Sequence, residues 1–107
     1  MEDLNISLIQ TSSSKKEILK KIAKFLLNER LSCCVHITNP ISSFYKWENT
    51  LQEDDEYLLQ AKIKTDTFHQ CSERIKTLHN YDTPEIILLP ITQIESDYLA
   101  WARSELS

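Results

Sequence analysis

At 107 residues the chain is the size of one ordinary domain, long enough for a single core and too short for two. A net charge of −4 and an isoelectric point near 5.3 argue against a general binder of phosphate backbones, which needs a basic surface. Apolar residues make up 41% and charged ones 26%, a balance that favours a folded chain, and no apolar run approaches the roughly 20 residues of a membrane span.

The first residues, Met1-Glu2-Asp3, carry acids where a secretory signal carries bases. Cys33 and Cys34 are neighbours and Cys71 stands alone, so the three cysteines form neither an even disulfide framework nor a Cys-x-x-Cys knuckle. Both features point to the cytoplasm and to reduced thiols; from the length, charge and apolar runs above, a single domain over residues 1–107 with no membrane or nucleic-acid partner is expected. Glycine is absent, so every tight turn must use Asn, Asp, Ser or Pro.

Leu4, Ile6 and Leu8 alternate with Asn5 and Ser7, which predicts a strand. Ser14 stands three residues before Glu17, the spacing of a capping box, so a helix is expected from there. Ile18, Ile22, Phe25 and Leu26 repeat at helical spacing, with lysines on the other face, and the helix should end near Glu29 or Arg30. Ser32 to Trp47 reads as strand, bent or bulged at Pro40, and Glu48-Asn49 is the expected hairpin tip. The chain returns through the acidic run Glu53–Glu56, read as solvated, into Tyr57–Lys64, where Leu59, Ala61 and Ile63 should face the core.

Thr65 or Asp66 is expected to cap a second helix whose apolar stripe is Phe68, Cys71, Ile75 and Leu78. The loop His79–Glu85 is dense in functional groups and leads to Ile86–Ile91, apolar on both faces. A short helix should follow from Ser96 or Asp97. The order β-α-β-β-α-β plus a terminal helix predicts an α+β fold, a ferredoxin-like antiparallel sheet with two helices on one face. A strand apolar on both sides then needs cover, from the last helix or from another subunit.

Several segments together resemble the CutA family, which is associated with divalent-cation tolerance. They are Glu29–Val35, Ser43–Glu48, Ile63–Thr65, His79–Ile86 and Tyr98–Trp101, in the family's order and spacing over nearly the whole chain. The resemblance implies a homotrimer, similar in architecture to PII signalling proteins, with a link to tolerance of copper and other divalent cations. Asn49 departs from the family's usual Gly, Cys33 from Ala and His36 from Asn, while Gln93-Ile94-Glu95 replaces a stretch that often holds glycine.

Cys34 and His79 fall on the family's cysteine and histidine positions. With Glu85 they offer thiolate, imidazole and carboxylate, a donor set for Cu or another borderline divalent ion, to be assembled across a subunit boundary. The alternative makes Cys34 a core residue, His79 a helix C-cap and Glu85 a partner of backbone or lysine. Trp47, Lys64 and Tyr81, with Glu85, could instead line an intersubunit pocket for a small anionic or zwitterionic ligand. His36 and His69 read as surface or edge histidines. A Cys34–His79 pair has no visible orienting group or oxyanion hole, so the chain is expected to be no enzyme and to need no organic cofactor. A trimeric scaffold for a protein partner and a metal-free small-molecule sensor remain open beside the cation-binding role.

Overall fold

A computed structural model describes residues 3–107, so Met1 and Glu2 of the N-terminal reading lie outside it. In chain order it contains β1 (Ile6–Ser13), α1 (Lys16–Asn28), β2 (Ser32–Ile37), β3 (Ile41–Trp47), β4 (Thr50–Lys64), a 3-10 turn (Thr65–Thr67), α2 (Phe68–Leu78), β5 (Ile87–Pro90) and α3 (Ser96–Glu105). The sheet runs β2-β4-β1-β5, every pairing antiparallel, and β3 pairs the far end of β4. That order is the ferredoxin-like arrangement expected from the pattern. Among the described residues no peptide bond is cis, so Pro84 is trans.

α1 and α2 pack on one face of the sheet. Leu19, Ile22, Leu26, Cys71 and Ile75 meet Ile9, Leu59, Ala61 and Ile63, all with no exposed surface. The expected core residues of β4 and the α2 stripe are therefore where the alternation put them. β1 corrects the reading: its helix-facing residues are Ser7, Ile9, Thr11 and Ser13, all fully buried, while Ile6 and Leu8 point to the opposite face. The row facing the helices is mostly polar, with Ile9 its one apolar residue, and Ser7 meets that burial by sharing a 2.7 Å hydrogen bond with the Thr65 hydroxyl.

The helix starts differ from the sequence reading. Ser14 forms no capping box; its N–H donates to the Tyr81 hydroxyl, and the Ser13 hydroxyl accepts from Lys15 N–H instead. Thr65–Thr67 forms a 3-10 turn ahead of α2, because Asp66 is engaged with Asn5 through its N–H and its carboxylate. At α3 the cap is Glu95, whose carboxylate accepts from Asp97 N–H (2.9 Å) and Tyr98 N–H (3.0 Å).

Without glycine, left-handed backbone falls to Asn5, Arg30, Glu48 and Asn49. Glu48 and Asn49 (φ 51° and 63°) make the two-residue turn between β3 and β4. Arg30 (φ 57°) closes α1: its N–H donates to Leu27 O while Leu31 N–H donates to Leu26 O, the paired bonds of a Schellman end. A non-glycine residue there costs about 1–2 kcal/mol. Its side chain offsets that, since the guanidinium donates to Ser104 O (2.8 Å) and Glu105 O (3.1 Å) at the carbonyl end of α3.

That clamp lays α3 over the sheet face opposite α1 and α2, where Ala102 and Leu106 bury Ile6 and Cys33. α3 covers only one end of the face. Ile87 and Leu89 of β5 stay 42% and 36% exposed. β3 and the outer part of β4 form an arm, and the molecule extends 45 Å along its longest axis.

Candidate functional site

Three places in the fold hold the residues singled out from the sequence. At the base of the arm, the chain leaving α2 lays His79 and Tyr81 against the ends of β1 and β4. Tyr81 N–H donates to His79 Nδ1 (3.0 Å), which requires a lone pair on that nitrogen. The proton therefore sits on Nε2, which donates to the Ser12 carbonyl at 2.8 Å. Burial lowers the pKa of His79, outweighing the Ser12 bond and the Glu56 charge that favour the cation. His79 is thus a neutral imidazole with both nitrogens engaged.

Tyr81 donates its hydroxyl proton to Glu56 at 2.8 Å and accepts from Ser14 N–H at 2.9 Å. Burial, helped by the Glu56 bond, raises its pKa. Glu56 is only 7% exposed, so this member of the acidic run is structural and not merely solvated. Asn80 completes the knot by accepting from the Ser13 hydroxyl at 2.7 Å. No signal in the sequence separates Glu56 from Glu53, Asp54 and Asp55.

On the sheet face away from α1 and α2, Cys34 and His36 stand two residues apart on β2, with Cys34 Sγ 3.6 Å from His36 Nε2. Cys34 is half-buried and His36 exposed. Cys34 is in register with Lys62, whose ammonium lies 5.5 Å from the centre of the Tyr98 ring. His36 is in register with Gln60. From Gln60 a polar row crosses the sheet: Gln60 Nε2 donates to Gln10 Oε1 (2.8 Å), and Gln10 Nε2 donates to Glu85 (3.1 Å). His36, expected to be a surface or edge histidine, stands beside Cys34 because residues i and i+2 of a strand share a face, whereas Gln10 and Gln60 carried no signal.

The third place lies at the other end of β4. An open cleft of about 340 Å³ is lined by Asp3, Leu4, Asn5, Ile6, Lys64, Arg103 and Leu106. Lys64 thus neighbours Arg103, itself bonded to Leu4 O, and not Tyr81.

Within one protomer these places stay apart. Trp47, at the 60% exposed tip of the arm and paired with Thr50, and Lys64 lie at opposite ends of β4. Glu56, the partner of Tyr81, precedes Lys64 by 8 residues, roughly 26 Å. Cys34 and Glu85 sit toward opposite edges of the sheet, about 14 Å apart by strand spacing. Among the described residues no three His, Cys, Asp or Glu side chains are grouped to hold a metal ion. Neither expected constellation, Cys34–His79–Glu85 or Trp47–Lys64–Tyr81, converges inside a single chain, because the ladder spaces their members along and across the sheet.

The chain matches the family described as CutA1 divalent ion tolerance protein over residues 7–105. It is similar to the divalent-cation tolerance protein CutA of Thermus thermophilus, 43% identical over 88 residues, 82% of this chain and 85% of the relative. It is 38% identical to a chloroplastic CutA protein of Arabidopsis thaliana across 83% of its own length, and spans about half (49%) of that relative. The solved structure of the Thermus thermophilus divalent cation tolerance protein superposes with a TM-score of 0.90 at 37% identity, covering 95% of this chain and 99% of that one.

Proposed function

The chain belongs to the CutA1 divalent ion tolerance family, and from that premise we propose that it works as a cytoplasmic homotrimer that binds divalent cations, copper among them, as a binding protein and not an enzyme. The observation that carries self-association is the arm, and the family resemblance supplies the number three. Phe44, Trp47 and Leu51 are 61%, 60% and 68% exposed on a hairpin whose strand β3 pairs with β4 alone. Completing their burial is worth about 1–2 kcal/mol per side chain, a gain available only against another chain. The half-open sheet face beneath Ile87 and Leu89 adds a second apolar surface to cover. Contacts between copies would also bring Trp47 of one chain toward residues that lie far from it within that chain.

Sedimentation equilibrium at micromolar concentration tests this reading. A trimer mass that falls toward the monomer in Leu51→Lys supports it, and a monomeric wild type overturns it. Calorimetric titration of chelator-stripped, reduced protein with Cu(II) and Zn(II) tests the cation role, which fails if neither ion binds. A stoichiometric protein partner recovered without any cation would replace cation binding with a scaffold role. The Lys64–Arg103 cleft favours a second reading, a metal-free sensor of a small anion; a thermal shift with an anionic metabolite that Lys64→Ala removes would support it.

A further inference from the structure

Resting on the divalent-cation reading, we propose that Cys34 and His36 are the ion's protein donors, a two-point thiolate–imidazole site on the outer edge of the sheet for a tetrahedral d10 cation, Zn(II). The spacing carries the assignment. A tetrahedral centre with a zinc–sulfur bond of about 2.3 Å and a zinc–nitrogen bond of about 2.05 Å needs its sulfur and nitrogen about 3.6 Å apart. Cys34 Sγ and His36 Nε2 are 3.6 Å apart. The two atoms are in hydrogen-bond contact at the separation of two tetrahedral vertices, and a bound ion takes the place of the shared proton.

The local fold holds the pair in that arrangement. Residues i and i+2 of a strand share a face, and both are fixed by pairing with Lys62 and Gln60 of β4. A bulge between Ser32 and Cys34 sets the direction of the first donor, and the Ser32 hydroxyl braces it. That hydroxyl donates to Lys62 O (2.7 Å), lies 3.1 Å from Cys34 O, and accepts from Cys34 N–H (3.3 Å). A rigid strand is a better platform for donors than a loop.

The other candidates are worse placed. His79 has both ring nitrogens in use. Cys33 is buried under α3 against Ile6, Ala102 and Leu106. Cys71 is fully buried between the helices, and burial raises its thiol pKa. Cys34 is half-buried against the α3 cluster and His36 is exposed on β2, the edge strand, so the remaining coordination positions lie on the His36 side, for water or for a donor of another copy. Lys62 is the one nearby cation in register, and its ammonium rests on the Tyr98 ring. A thiolate with an imidazole selects zinc over the hard oxygen-seeking ions magnesium and calcium.

Co(II), a spectroscopic stand-in for Zn(II), tests the site on the reduced full-length chain. A saturable thiolate-to-cobalt charge-transfer band that Zn(II) abolishes is expected. Cys34→Ser should remove the band, and His36→Gln should weaken Zn(II) binding about tenfold or more. His79→Gln should leave both unchanged, with circular dichroism checking that every variant folds. Absence of the band in the wild type, or unchanged affinity in His36→Gln, overturns the site. Loss of binding in His79→Gln alone returns the cation to the Cys34–His79–Glu85 set. Wild-type protein that binds no divalent cation by calorimetry defeats the broader reading, whereas binding without thiolate ligation defeats only this one.

Discussion

β4 is one strand with two economies. From Leu59 to Lys64 every second residue is buried, and Leu59, Ala61 and Ile63 have no exposed surface. From Thr50 to Asp55 the same strand keeps its ladder with β3 but buries almost nothing. Hydrogen bonding is satisfied along both halves, so backbone pairing alone does not decide where the chain is stable. The inner half is completed by α1 and α2 of its own chain, and the outer half offers Trp47 and Leu51 to something outside it. The junction is Glu56, the buried carboxylate that receives the Tyr81 proton.

Substitutions along that strand put the difference to work. Leu59→Ala should cost about 2–5 kcal/mol by leaving a cavity among fully buried neighbours, lowering the melting midpoint by 10 °C or more. A loss below 1 kcal/mol in denaturant titration would show that the inner half is not the core. At the junction, Tyr81→Phe removes the donor to Glu56 and should cost about 1–3 kcal/mol, measurable by the same titration.

His79 gives the junction a pH dependence of defined sign. Its folded pKa lies below the ordinary 6.5, so the unfolded chain binds the extra proton first. Its contribution to stability is present above about pH 6.5 and is lost as pH falls through the lowered value. Denaturant midpoints measured on either side of pH 6.5 should show that slope, and His79→Gln should flatten it. The smallest expected effect is at the arm's tip: Asn49→Gly should stabilise by up to about 1 kcal/mol, since glycine takes φ 63° without strain.

Much of this architecture was legible as pattern. The element order and the buried faces of β4 and α2 follow from the spacing of apolar residues, because in those elements the apolar half is the buried half, and the Glu48-Asn49 turn follows from the tolerance of Asn for left-handed backbone. β1 defeats that logic: Ile6 and Leu8 turn away from α1 and α2, and Ser7 and Thr11 turn toward them. The capping reading failed at Ser14 because Tyr81, 67 residues away, takes its N–H, a competition that local spacing cannot reveal. The candidate residues were identifiable by chemistry but not by distance. Register decides that Lys64 and Tyr81 sit at opposite ends of a ladder, and that the nitrogen beside Cys34 belongs to His36.

The strand order also sets a timetable for the chain as it is made. β1 is central, yet its two neighbours come late: Gln10 pairs with Gln60 on one side and with Ile87 on the other. At roughly 5–20 residues per second, the 77 residues between Gln10 and Ile87 take about 4–15 s to synthesise. Throughout that interval Ile6, Leu8 and Ile9 have no sheet to enter on the β5 side, while β2, β3 and β4 can already pair with one another. The last pairing of the sheet is therefore made on its first strand, and a nascent chain of this topology holds β1 open on the β5 side until the end.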